Sequence, residues 1–194
     1  MRCKKEMFQK DNYFHFYNKA INKENLFNSR EDHLLLLKKL KEILLLYPTS
    51  VFAYCLMPDH FHFLLRQNSE KPIYKIFNHL FSFYVQVFNL KYKRKGRLFQ
   101  APLQHKIITD EKYLSYICQY IHLNPVEAGL VGNIEEWEFS NYLEWIGKRN
   151  GTLFCDELLI EYFGNSENYG KSIKEFEKCK KDAKFLELLF DDKY

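Results

Sequence analysis

Two apolar runs, residues 50–57 (SVFAYCLM) and 61–66, meet across Pro58-Asp59, and this juncture restricts the fold more than any other feature of the chain. Proline presets a turn dihedral and aspartate can bond its own backbone, so the runs read as an antiparallel hairpin. A lone hairpin is marginal in water and needs further strands and a helical cover. The alternation in residues 13–19 (YFHFYNK) predicts one such strand, and residues 103–109 (LQHKIIT) predict another. Ser29-Arg30-Glu31-Asp32 has capping-box spacing with Asp in place of the usual Glu. It opens a helix with Leu36, Leu37, Leu40, Ile43, Leu44 and Tyr47 on one face, stopped near Pro48. Ile73, Ile76, Phe77, Leu80, Phe81, Tyr84 and Phe88 predict a second long helix, through about Lys91. Thr109 can cap a third, with Asp110 and Glu111 near its positive end.

The order β-α-β-β-α-β is that of the ferredoxin-like unit, an α+β fold with an antiparallel sheet and both helices on one face. Beyond it come the tyrosine-bearing third helix and a helical extension, so the expected division is a domain over 1–145 and an extension over 146–194. The extension should hold a turn or helix after Ser140 and a helix over 156–163 ended by Gly164. An amphipathic tail with Ile173, Phe176, Phe185, Leu188 and Leu189 should follow.

A hydrophobic fraction of 46% with only 7 Gly and 5 Pro excludes a disordered or collagen-like chain. The cysteines at 3, 55, 118, 155 and 179 are odd in number and contain no C-x-x-C pair, which points to a reduced, cytoplasmic protein without a disulfide framework or zinc knuckle. No apolar run approaches the roughly 20 residues of a membrane span, and the first residues lack an apolar signal core. The net charge is +4, yet residues 71–109 hold eight Lys or Arg and no Asp or Glu, leaving a net −4 for the remainder. Six of these bases, Lys91, Lys93, Arg94, Lys95, Arg97 and Lys106, fall within sixteen residues. Such asymmetry suits a phosphate backbone, although a solvated loop has the same composition. Tyr92 and Phe99, interleaved with the bases, offer stacking surfaces to unpaired bases.

His60 and His62 stand two apart at the start of the second hairpin strand, so their side chains leave one face with Cα atoms roughly 6.5–7 Å apart. Phe61 and Phe63 point the other way. Two imidazoles at this spacing can share a cation without selecting which one. In the third helix Tyr120 and Asn124 lie on one face, about a turn apart. Pro125 disfavours the α conformation at Asn124, which predicts that the helix ends there with the Asn amide at its boundary. Tyr113, Tyr116 and Tyr120 also form a helical stripe, and spacing alone does not separate Tyr120 from Tyr116.

The blocks CLMPDHFHFLL (55–65) and QYIHLNPVEAGLV (119–131) resemble the two signature blocks of the REP-associated tyrosine transposases, members of the HUH endonuclease superfamily. HFYNKA (15–20) and GRLFQ (96–100) extend the resemblance, which runs from residue 13 to about 145. It implies a DNA strand transferase with Tyr120 as nucleophile, and His60, His62 and Asn124 as ligands of Mg2+ or Mn2+. The implied substrate is single-stranded or hairpin DNA like the REP palindromes, handled by a monomer or a homodimer. His15, Lys19, Lys91, Lys93, Arg94, Lys95 and Arg97 are then the expected DNA contacts. Three departures bear on DNA affinity and target choice: Lys19 for the usual Arg, Ala101-Pro102 after the F-Q pair, and Glu127 where Arg is usual. They leave two rivals, a domesticated nucleic-acid-binding protein without turnover and a metal hydrolase without a covalent step.

Overall fold

The computed structural model describes residues 8–179. Its elements are β1 (Tyr13–Lys19), α1 (Arg30–Leu44), β2 (Thr49–Leu56), β3 (His60–Gln67), α2 (Tyr74–Lys91), β4 (Gln104–Ile108), α3 (Glu111–Glu127), α4 (Tyr142–Trp145), α5 (Glu157–Phe163) and α6 (Ser166–Cys179). The four strands form one sheet in the order β2-β3-β1-β4, every neighbouring pair antiparallel. This is the ferredoxin-like arrangement expected from the order of periodicities.

One face of the sheet carries Phe14, Phe16, Phe61, Phe63 and Leu65, buried against Leu36, Leu40 and Ile43 of α1 and Ile76, Phe77, Leu80, Tyr84 and Phe88 of α2. Helix α1 starts as its capping box predicts: Asn28 and Ser29 backbone N–H groups donate to Asp32 Oδ2 at 2.9 and 3.0 Å. Asp32 also accepts from Lys91 Nζ at 2.6 Å and from the Tyr92 hydroxyl at 2.7 Å, fastening the end of α2 to the start of α1.

His33, one residue on, is stacked between Phe27 and Phe139 at centroid distances of 4.2 and 3.6 Å. Burial there lowers its pKa from 6.5 to about 4. The unfolded chain therefore takes up a proton as pH falls below about 6.5 while the folded chain does not, so stability falls as pH drops from about 6.5 towards 4. The expected loss from this residue is about 2 kcal/mol between pH 7 and 5. Urea titrations at the two pH values measure it, and His33→Phe should reduce the difference by about that amount, leaving what the buried His15 and His122 contribute.

The opposite face is shaped by a β-bulge between Val51 and Ala53. It turns both Phe52 and Ala53 to that side, where they join Cys55, Met57 and Leu64. Leu114, Ile117, Cys118 and Ile121 of α3 pack on them, and so do Trp145, Leu158, Leu159, Tyr169, Ile173 and Phe176. Residues on both sides of position 145 thus share one core. A buried polar network runs through it. Asn141 Oδ1 accepts from Tyr54 N at 2.7 Å and from His122 Nε2 at 3.0 Å, and Asn141 Nδ2 donates to Phe52 O at 2.7 Å. Trp145 Nε1 donates to the same carbonyl at 2.8 Å. With its Nε2 donating, His122 accepts at Nδ1 from the Tyr169 hydroxyl at 2.6 Å, and burial keeps it neutral by lowering its pKa to about 4.

Helix α3 does not stop at Asn124, as the rule for residues before proline suggested, but runs through Pro125 to Glu127. The turn is carried on by Ala128 N donating to Asn124 O and Leu130 N to Pro125 O, both at 2.9 Å. Gly129, at φ 68°, supplies the left-handed residue that closes the helix. In the extension, Ile173 and Phe176 lie on α6, while Phe185, Leu188 and Leu189 fall outside the described residues. Among the described residues Cys55, Cys118, Cys155 and Cys179 are free thiols, and no helix is long and apolar enough to cross a membrane.

Candidate active site

Sheet register decides which side chains share the α3 face. Lys19 lies opposite His60, Tyr17 opposite His62, His15 opposite Leu64 and Lys106, and Tyr17 also opposite Gln104. Directly paired residues in an antiparallel sheet point the same way, so Lys19, Tyr17, His15, His60, His62, Gln104 and Lys106 emerge together. Phe61 and Phe63 bury on the other side, as the alternation predicts. The imidazoles of His60 and His62 have centroids 5.1 Å apart with planes at 84°.

Tyr120 descends from α3 onto this group. Its ring centroid is 5.5 Å from that of His62 and 6.5 Å from that of His15, edge-on to both. The rest of the tyrosine stripe goes elsewhere: Tyr116 packs toward Phe176 with centroids 6.0 Å apart, and Lys106 Nζ sits 5.6 Å over the Tyr113 ring. Spacing left Tyr116 and Tyr120 equivalent, whereas the fold brings Tyr120 to the histidines. Burial pushes the Tyr120 phenol up to about 12, with the Glu127 carboxylate adding to the rise and an Asn124 hydrogen bond opposing it. A cleft of about 1100 Å³ opens over these residues, lined by Lys19, Lys23, Asn22, Gln100 and Gln104 as well as His60, His62 and Tyr120.

Each of the paired histidines has one nitrogen held from behind. His60 Nδ1 lies 2.6 Å from Asp59 Oδ1, and His62 Nδ1 lies 2.9 Å from His15 Nε2. His15, expected at the DNA surface, lies instead behind His62: it is 5% exposed, and burial together with the Lys106 charge lowers its pKa to about 3. Asn124 is buried, with Nδ2 donating to the Tyr120 backbone carbonyl at 2.8 Å. Its amide is thereby turned along the helix instead of standing at a helix end.

Two more of the expected DNA contacts are partly spent inside the fold. Lys91 pairs with Asp32, and Arg94 pairs with Glu24 while also donating to Asn89 Oδ1 at 2.9 Å. Lys93, Lys95 and Arg97 are exposed, and Lys19 stands at the cleft with its side chain 53% accessible and Nζ 3.9 Å from Asp59 Oδ2. The segment after Arg97 is stitched to the end of β1: Ile21 N donates to Leu98 O and Gln100 N to Lys19 O, both at 2.9 Å, and Asn18 Nδ2 donates to Ala101 O at 3.0 Å. Arg97 thus adjoins a segment, Leu98 to Ala101, that is fastened to β1 and reaches the cleft at Gln100 and Ala101. Asp59 escaped the sequence reading because Pro58-Asp59 already had a sufficient role as a turn. Asn22 and Lys23, both left-handed at φ 55° and 58°, were passed over as a polar stretch.

Among the described residues no group of three or more His, Cys, Asp or Glu side chains is arranged to hold a metal. The histidine pair fits a cation as a two-donor site, since the bonds at Nδ1 leave Nε2 as the nitrogen each ring can turn to a ligand. Further donors would have to come from Asn124, water or a substrate oxygen.

Comparison with known proteins agrees with this geometry. The family described as "Transposase IS200 like" matches residues 8–124. A Haemophilus influenzae protein (strain ATCC 51907 / DSM 11121 / KW20 / Rd) assigned as a REP-associated tyrosine transposase is 29% identical over 107 residues, which is 50% of this chain; the chain spans 60% of that relative's length. Among solved structures, a REP-associated tyrosine transposase bound to a REP hairpin superimposes with a TM-score of 0.62 at 16% identity, covering 78% of this chain and 92% of the other, which establishes the shared fold. Because that family matches residues 8–124, more than half its length, the chain belongs to the IS200-like transposase family.

Proposed function

We propose that this protein is a single-stranded DNA transposase that cuts and rejoins strands through Tyr120, acting at hairpin sequences like the REP palindromes, with Mg2+ or Mn2+ held by His60 and His62 and completed by Asn124. The observation that carries the reading is the meeting of the Tyr120 and His62 rings, 5.5 Å apart, in a cleft shared with His60. Tyr120 oxygen attacks a phosphorus of the strand, the bond to the 3′-oxygen breaks, and the phenol proton passes through solvent to that oxygen, giving a 3′-hydroxyl end and a 5′-phosphotyrosine bond whose energy is kept for rejoining. A cation at His60 and His62 would supply charge compensation at the non-bridging phosphate oxygens. Because burial and Glu127 hold the Tyr120 phenol above its ordinary range, the residues around it must offset that cost when the proton leaves. Lys19, at the cleft mouth, is available to a neighbouring phosphate.

The test is incubation of the protein with labelled single-stranded hairpins and Mg2+ or Mn2+, scored for a strand that stays with the protein on a denaturing gel. Absence of any such species across the substrates would overturn the reading. Glu127 favours one second reading, binding without turnover, because its carboxylate opposes phenolate formation at Tyr120. On that reading hairpins bind, no adduct forms, and Glu127→Arg restores one.

Lys93, Lys95 and Arg97 would follow the strand backbone. Removing all three charges should weaken single-stranded DNA binding and reduce the slope of log K against log salt by about 2, from roughly 0.7 per phosphate contact. Fluorescence anisotropy between 50 and 200 mM salt measures it, and an unchanged slope assigns the segment another role.

A further inference from the structure

We propose that His15 and Asp59 are positioning residues for a cation site, each holding Nδ1 of one imidazole so that Nε2 of His62 and of His60 is presented to the cleft. The inference rests on the cation reading above and adds residues outside the donor set.

A ligating imidazole must offer a lone pair, and which nitrogen has one is set by the partner of the other. For His60 the partner is a carboxylate: Asp59 Oδ1 at 2.6 Å can only accept while ionised, so the proton sits on His60 Nδ1. Asp59 is itself anchored. Its carbonyl accepts from Ala20 N at 2.7 Å, the preceding Pro58 carbonyl accepts from Leu26 N at 2.6 Å, and Lys19 Nζ approaches Oδ2 at 3.9 Å. For His62 the partner is another imidazole, His15 Nε2 at 2.9 Å. Two neutral rings joined this way share one proton. With that proton on His62 Nδ1, His62 Nε2 carries the lone pair; with it on His15, His62 Nε2 carries a hydrogen and turns a cation away. His15 is held against His62 by the sheet, since it lies on the same strand as Tyr17, whose register partner is His62, and the His15 and His62 rings stack at 5.1 Å and 21°. The two histidines are thus backed by unlike groups, an anchored carboxylate at the rim and a buried neutral ring inside.

Two measurements on the intact chain test this. The first is the tautomer of each ring by long-range 15N–1H correlation in metal-free protein, a signature that a purely packing role for His15 would not set. The second is Mn2+ affinity by calorimetry. Wild type should show His60 and His62 as Nδ1–H tautomers. Asp59→Ala should weaken Mn2+ binding about 10-fold or more, within the range usual for loss of an outer partner. His15→Phe should do the same and shift His62 towards Nε2–H, while His15→Gln, whose amide oxygen can accept, should recover most of the affinity. Should His15→Phe fail to fold, Asp59→Ala at the rim and the wild-type tautomers still decide. Wild-type His62 protonated at Nε2, or folded variants binding Mn2+ as wild type does, would overturn the proposal. Wild type that shows the expected tautomers but binds no Mn2+ would instead sink the cation reading and leave the positioning intact.

Discussion

Tyr120→Phe should remove the covalent protein–DNA species altogether, with strand cleavage lowered about 10³-fold or more, while hairpin affinity changes little. The substitution deletes one oxygen from a ring whose contacts with His62 and His15 are edge-on and aromatic, so the packing that holds α3 on the sheet survives. Tyr116→Phe is the matched control, because that ring faces Phe176 and should leave the adduct unaffected. Denaturing gels read both. A product with free 5′-phosphate ends and full activity in the Tyr120 variant would point to hydrolysis by water in place of a tyrosine ester. Loss of adduct in the Tyr116 variant as well would mean that the stripe acts as a unit.

Asn141→Ala should cause the largest loss of stability among single polar substitutions in the second core. The side chain is fully buried and satisfies Tyr54 N–H, the Phe52 carbonyl and His122 Nε2 at once. Phe52 O keeps Trp145 Nε1, but the Tyr54 and His122 donors are left without Asn141 in a dry interior. Two stranded donors cost about 2–4 kcal/mol, which for a chain of this size lowers Tm by about 5–15 °C. Thermal unfolding followed by circular dichroism measures it. An unchanged Tm would mean that the β2 bulge and α3 are held by packing alone. Because His122 lies two residues after Tyr120, the same variant should also slow adduct formation at temperatures where it remains folded.

Where local chemistry decides an element, the sequence reading holds. The Ser29–Asp32 box starts α1, Pro58-Asp59 turns the hairpin, and the two-residue spacing of His60 and His62 puts both on one face. It is blind where a partner arrives from far along the chain. Lys91 and Arg94 read as free phosphate binders because the acids that take them, Asp32 and Glu24, lie 59 and 70 residues upstream. The burial of His15, named among the expected DNA contacts, is not legible because nothing in YFHFYNK says that β1 is central, flanked by β3 and β4; only the strand order puts it behind His62. At Asn124 the preference of residues before proline was outweighed by the helical bond from Ala128 N to Asn124 O and the closing turn at Gly129, where Leu130 N reaches Pro125 O. The bulge at Val51/Ala53 left no trace in a run already apolar throughout.

The stitching of residues 98–101 to the end of β1 has a bearing on where a bound strand would be opened. Cations on a slack loop would grip a polymer at any phosphate and let the scissile bond wander. Here Arg97 adjoins a segment riveted to the strand that also carries Lys19, so grip and blade keep a constant offset. On the proposed function the protein would work as a gauge: the number of nucleotides between the anchored backbone and the broken bond would be a property of the polypeptide, and a lengthened insert after Gly96 should leave that count alone, whereas cutting the rivets should blur it.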